Sequence, residues 1–135
     1  MTVAVAHQGS NDSDHVLLEA VREAHARGES LAVIHVRAAV DDDLEAAVAG
    51  GVADAVGRVT AKAGLPAVSY ELRVAAGTAE DLAGAVLDEA DAVKASLLVI
   101  GARHRSPVGK AFLGSVSQRL ILDADVPVLV VKPPR

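Results

Sequence analysis

Between Gly101 and Ser117 the chain gathers the residue types that hold an anion. The segment runs Gly101-Ala102-Arg103-His104-Arg105-Ser106-Pro107-Val108-Gly109-Lys110 and continues to Gly114-Ser115-Val116-Ser117. Gly101 and Gly114 let the backbone come close to a bulky ligand with no Cβ in the way. Ser115 and Ser117 place hydroxyls at the expected start of a helix, where unpaired amide N–H groups and the helix dipole favour negative charge. Arg103, Arg105 and Lys110 concentrate positive charge in a chain whose formal net charge is -5. Together these features suit phosphate, although a plain helix N-cap after a basic loop would use many of the same residues. A P-loop is excluded: Gly109-Lys110 fits, but His104 stands where the first glycine belongs, and Ala111 follows the lysine where Ser or Thr should hold magnesium.

A second cluster with chemical potential is His7-Gln8-Gly9-Ser10, which ends the first strand-like run. His7, His35 and His104 would make a zinc site only if they converged to about 2.1 Å from one ion, and their spacing does not demand it. His35 reads as a histidine at the edge of the core with a backbone partner, while His15 and His25 fall on a helix and are expected to face solvent. The triplet Asp41-Asp42-Asp43 is expected to be a solvated helix cap, and Asp12 and Asp14 to cap the first helix. Ser115 or Ser117 as a nucleophile would need an adjacent base and an orienting acid, and no G-x-S-x-G motif is present. No catalytic or metal-ligating residue is therefore assigned, and the expectation is a binding protein with at most weak hydrolysis.

These segments must be positioned by alternating strand-like and helix-like elements. Thr2–His7 reads as a strand. Val16, Leu17, Ala20, Val21 and Ala24 follow at helical spacing, with Gly28 as the stop. Leu31–Val36 is a continuous aliphatic run, as in a strand covered on both faces. Leu44, Ala47, Val48, Gly51, Val52, Ala55, Val56 and Val59 make one helical stripe ended by Gly64. Val68, Tyr70, Leu72 and Val74 alternate with polar residues, the pattern of a strand near a sheet edge. Thr78-Ala79-Glu80-Asp81 resembles a capping box that opens a helix through Leu82, Ala85, Val86, Ala90 and Val93. Leu97–Ile100 reads as the fourth strand, followed by a loop, a helix from about Val116 to Leu122, and a fifth strand over Val126–Val131. Pro127 cannot donate to a sheet ladder, so it belongs at that strand's start or on an edge. Strict alternation implies an α/β fold with a doubly wound parallel sheet and right-handed crossovers, in which ligands bind beyond the carboxyl ends of the strands where strand order reverses.

Composition narrows the function classes. At 135 residues, one domain over residues 1–135 is expected. A hydrophobic share of 51% fits a packed globule, built on Ala, Val and Leu because the chain has one Tyr, one Phe and no Trp. The negative charge and the near-absence of aromatics leave neither a basic footprint nor a stacking platform for nucleic acid. No apolar run approaches the ~20 residues of a membrane span. The absence of cysteine excludes disulfides, thiol nucleophiles and thiolate metal sites. With no signal-peptide pattern, a cytoplasmic protein is expected.

Several spaced features, taken in order, resemble the universal stress protein family along the whole chain. They are the first strand ending in Gly9-Ser10, Ile34-His35-Val36 at the end of the second, Gly77 before the third helix, Ile100 to Ser117, and the final Pro127-Val128-Leu129-Val130-Val131. In the family's nucleotide binders the long segment follows Gly-x2-Gly-x9-Gly-Ser/Thr. Gly101, His104 and Gly114-Ser115 keep that spacing, with His104 in place of the middle glycine, and Gln8 stands where Asp is usual. The resemblance implies a three-layer α/β/α fold with sheet order 3-2-1-4-5 and homodimers through the fifth strand. It also implies ATP or a related adenine nucleotide, with Mg2+ alongside, between strands one and four. On that basis Ala6, His7 and Gln8 would line the base pocket and Val36 would pack near ribose or base. Ile100, Gly101, Arg103, His104, Gly114, Ser115, Val116 and Ser117 would surround sugar and phosphates. The alternative is a dimeric interaction module of the same family without a nucleotide. An amide at Gln8 keeps an acceptor for an adenine amino group and adds a donor. His104 could either fill the ligand's space or, when protonated, meet a phosphate.

Overall fold

The computed structural model describes residues 1–7, 13–38, 41–78, 81–105 and 110–134, without the side chains of 103–105 and 110–112. The expected helix caps at Asn11 and Asp12, the base-pocket residue Gln8 and the turn Gly9-Ser10 lie outside the described residues, as do Ala79, Glu80 and Ser106–Gly109.

The elements run β1 (Thr2–Ala6), α1 (Asp14–Arg27), β2 (Ser30–Arg37), α2 (Asp42–Ala63), β3 (Tyr70–Ala76), α3 (Leu82–Ala92) and β4 (Ala95–Gly101), then β5 (Arg103–Arg105), β6 (Lys110–Phe112), α4 (Ser115–Asp123) and β7 (Val128–Val131). Five strands form one parallel sheet in the order β3-β2-β1-β4-β7. The doubly wound α/β reading and the 3-2-1-4-5 order are thus what the chain adopts. Strand order reverses beside β1, so the space above β1 and β4 is the switch point.

Period-two alternation splits the aliphatic runs into two cores. Val3, Val5, Leu31, Val33, Leu97 and Val99 point to one face and pack against Val16, Leu17, Ala20, Val21 and Ala24 of α1 and Val48, Val52, Val56 and Val59 of α2. Ala4, Ile34, Leu98 and Ile100 point to the other and meet Ala83, Val86 and Ala90 of α3 and Leu120 of α4. Each fully buried Val, Leu or Ile contributes about 1.5–3 kcal/mol, so these faces fix which residues reach the carboxyl edge. Gly28 and Gly64 close α1 and α2 in the left-handed conformation, with φ of 64° and 65°, as their positions predict. Asp41 caps α2 by accepting from the Leu44 N–H at 2.7 Å.

Four local details differ from expectation. The segment after β4, read as loop throughout, contains a short antiparallel hairpin in which Arg103 pairs with Phe112, His104 with Ala111 and Arg105 with Lys110. Its three-residue strands carry no apolar alternation, so no periodic signal marks them. α3 begins at Leu82 with Asp81 at the N-cap, its side chain making no capping bond, and the Asp81 N–H closes a turn on the Thr78 carbonyl at 3.0 Å. Ser13 sits at the N-cap of α1, also without a side-chain bond. β3 starts at Tyr70, because the chain from Leu65 returns from α2 before pairing begins, although Ser69 already accepts from the Leu31 N–H at 3.0 Å. Pro127 directly precedes β7, where its carbonyl accepts from Leu98 N–H at 3.0 Å and its missing donor costs no ladder bond.

Candidate functional site

The switch point opens into a cleft of about 1310 Å³. Nine of the twelve residues chosen from the sequence line it. Ala6 and His7 come from the end of β1, Val36 from β2, Ile100 and Gly101 from β4, and Gly114, Ser115, Val116 and Ser117 from the start of α4. Of the other three, Gln8 lies outside the described residues; Arg103 and His104 are placed as backbone in β5, their side chains outside the description.

The β1 end is tied down by hydrogen bonds. The His7 N–H donates to the Ile34 carbonyl at 2.9 Å, and the His7 carbonyl lies 2.9 Å from His35 Nδ1. Arg37 Nε is 2.7 Å from His35 Nε2. Because a guanidinium can only donate, Nε2 is the acceptor, so the proton of His35 sits on Nδ1 and is donated to His7. His35 is 2% exposed and His7 4%. Burial pushes both imidazoles below their ordinary value. For His7 the nearby His35 adds to the effect, whereas for His35 the bond to the His7 carbonyl opposes it. The backbone partner expected of His35 is thus present.

The phosphate-loop side is built from β4 and α4. Gly114 is the N-cap of α4 in an extended conformation, φ -70° and ψ 168°. Gln118 N–H makes the bond back to the Gly114 carbonyl at 3.0 Å, which leaves the amides of Ser115, Val116 and Ser117 without acceptors inside the helix. Ser117 Oγ donates to the Gly101 carbonyl at 3.4 Å, joining the two lips of the cleft. The two glycines differ in cause. A Cβ on Gly114 would meet nothing within 4 Å, whereas one on Gly101 would lie 2.7 Å from Val16 Cγ2. Gly101 is required by the approach of α1, and Gly114 leaves open space at a helix N-terminus.

Sequence reasoning missed the wall opposite. Asp14, His15, Arg58 and Lys62 line the same cleft, as do Leu82, Val86, Pro133 and Pro134. Asp14, expected to cap α1, instead accepts from Arg58 Nε at 2.9 Å and Nη2 at 3.0 Å. That bond holds its carboxyl below the usual range, and Lys62 and His7 lower it further. His15, expected to face solvent, is half-buried, and its Nε2 is shut off from solvent with no hydrogen-bond partner among the described residues. The signal for Arg58 and Lys62 was their i, i+4 spacing, but nothing local tells which direction that helical face takes. Among the described residues no group of three His, Cys, Asp or Glu is arranged to hold a metal ion.

Comparison with known proteins decides the relationship. The family model for the universal stress protein family matches residues 1–132. The chain belongs to the universal stress protein family. A universal stress protein of Thermus aquaticus is 35% identical over 139 residues, covering 97% of this chain and 98% of its own. Another from Mycolicibacterium smegmatis is 52% identical over 66 residues, a match spanning 49% of each chain. Among solved structures, the family member from Archaeoglobus fulgidus in complex with dAMP is 28% identical, with a TM-score of 0.72 over 98% of both chains. A universal stress protein in complex with cAMP is 27% identical, with a TM-score of 0.75 over 99% of this chain and 98% of that one. Among the described residues no helix is long and apolar enough to cross a membrane.

Proposed function

We propose that this universal stress protein is a regulatory protein that binds an adenine nucleotide in the cleft between β1 and α4, without rapid turnover. One observation carries the reading: residues chosen from two distant stretches of sequence line one cleft at the switch point, facing the unpaired amides at the start of α4. The apolar floor of half-buried Ala6 and Val36 over buried Ile34 and Ile100 suits a base and ribose, and the Gly114–Ser117 amides suit a phosphate. The two relatives solved with dAMP and cAMP support the ligand class. Gln8, Arg103 and His104 belong to the same proposed site. Mg2+ would arrive on the phosphates, since the carboxylate in the lining, Asp14, is already held by Arg58. Dimerisation through β7, an edge strand of half-buried Val128–Val131, and a cytoplasmic single-domain protein over residues 1–135 complete the proposal.

Calorimetric titration with ATP, ADP and AMP, with and without Mg2+, tests it. Binding of at least one is expected, and no heat at about 1 mM ligand overturns the reading. Sedimentation at about 50 µM tests the dimer; a monomer there removes that part. His104 favours a second reading, an interaction module that has lost the nucleotide, because it occupies the middle-glycine position of the motif.

A further inference from the structure

The wall made by α1 and α2 has no role in the reading above, and its chemistry is that of a second anion site. Arg58 and Lys62 stand one turn apart on α2 and both line the cleft. Arg58 is held by Asp14 through two bonds of 2.9 and 3.0 Å, which fixes the direction of its guanidinium across 44 residues of sequence. Lys62 lies near enough to depress the Asp14 carboxyl. Asp14 and Arg58 cancel in charge, so Lys62 leaves the wall net positive within an acidic chain. His15 adds an Nε2 that is closed to solvent and bonded to nothing among the described residues, in a side chain that also lines the cleft. A buried imidazole nitrogen left open in this way is costly unless a ligand meets it.

The cleft therefore has two walls that favour negative charge, the amides at the start of α4 and the Arg58–Lys62–His15 group. A single phosphoryl group, as in dAMP or cAMP, needs one of them. A chain of phosphoryl groups uses both. We propose that the Arg58–Lys62–His15 wall takes the distal phosphates of a nucleoside polyphosphate, so that this protein favours adenosine triphosphate over the monophosphate. The inference rests on the nucleotide reading. Arg58 keeps its place because its guanidinium stays exposed while paired with the half-buried Asp14, and is readily shared with an incoming phosphate oxygen. Its planar fork serves the carboxylate and the phosphate together, while Lys62 acts as a point charge.

The test is titration of the full chain with ATP, AMP and inorganic tripolyphosphate, in wild type, in Lys62→Gln and in Arg58→Gln/Lys62→Gln. Both side chains are exposed, and Lys62→Gln leaves the Asp14–Arg58 pair intact, so folding is preserved in at least one variant. Wild type is expected to bind ATP more tightly than AMP. The ratio of the two affinities should fall about threefold in the single variant and about tenfold in the double one, as expected for one and two exposed charge contacts. A wild-type preference for AMP, or a ratio unchanged in both variants, overturns the inference. Tripolyphosphate separates the two levels of the argument. If no adenine nucleotide binds but tripolyphosphate binds wild type and not the double variant, the nucleotide reading fails and the anion wall stands. If nothing binds, both fail.

Discussion

Replacing Gly101 by Ala puts a methyl group where α1 already sits. The new Cβ would lie 2.7 Å from Val16 Cγ2, with Val16 Cβ and Cγ1 next at 3.9 and 4.0 Å. Carbon atoms settle at about 3.5–4.0 Å, so the overlap approaches 1 Å. Val16 is 5% exposed, branched at Cβ and restricted to few rotamers in a helix, so it cannot swing aside. Relief has to come from movement of the first turn of α1, the turn that also carries Asp14 and His15 to the cleft. Overpacking of this kind costs about 1–3 kcal/mol, a fall of about 4–12 °C in Tm for a chain of this size.

The assay is a double-mutant cycle in urea. Val16→Ala alone removes two methyl groups and is expected to cost about 1–2 kcal/mol. If the clash is the cause, Gly101→Ala/Val16→Ala costs no more than Val16→Ala, because the new methyl fills part of the space left behind. The two changes should then couple by about 1–3 kcal/mol. Strictly additive losses would refute the packing argument. So would an unchanged stability of Gly101→Ala accompanied by lost nucleotide affinity, which would assign Gly101 to the ligand instead.

Three further outcomes follow from other parts of the molecule. Because burial lowers the proton affinity of His7 and His35 in the native state, the unfolded chain takes up protons near its own histidine pKa of about 6.5 and the native chain only at lower pH. Stability is thus fully present above that pH and declines as pH falls below it, by up to about tenfold in the folding constant per pH unit for each imidazole. Asp14, lowered by Arg58, adds its loss only below the carboxylate range, so a urea midpoint that stays flat between about pH 7 and 5 contradicts the histidine argument. Lys94 follows α3 with φ 54°, a left-handed conformation next to the C-cap Val93; Lys94→Gly is expected to raise stability by about 1 kcal/mol, and a loss in thermal denaturation would count against backbone strain there. If His104 occupies the ligand's space, His104→Gly strengthens ATP binding in calorimetry, whereas weaker binding would make the imidazole a ligand contact.

What the sequence made legible was what local periodicity and chain punctuation encode. The aliphatic runs at Leu31–Val36 and Leu97–Ile100 announced strands covered on both faces. Gly28 and Gly64 marked the two helix ends where φ is positive. The cleft's strand-end half was equally readable, since a doubly wound sheet puts the ends of β1 and β4 together whatever the side chains are. The other half was not. Arg58 and Lys62 are separated from Asp14 by more than forty residues, and only the packing of α1 on α2 decides that they meet. His15 looked like one polar residue near a helix start. Its nitrogen is closed to solvent, which no pattern of 3.6 residues announces. The hairpin of β5 and β6 escaped for a different reason, as three-residue strands are too short to show a period.

This division bears on how the site works. The residues read directly from sequence supply a cradle that a parallel sheet offers by topology: an apolar floor, a helix N-terminus and a glycine with open space around it. Gly101 and Gly114 are the first and last glycines of one motif, yet the first is demanded by Val16 and the second leaves room at the cleft. The spacing of the motif is thus a joint record of packing and of binding, and it does not separate them. The residues that would distinguish one anionic ligand from another lie on the helices, where a substitution changes charge at the cleft without disturbing a strand. Arg58 and Lys62 are exposed, so they are free to vary at little cost in stability. Within such a fold, ligand preference can shift on the α2 wall while the cradle that holds the ligand stays fixed.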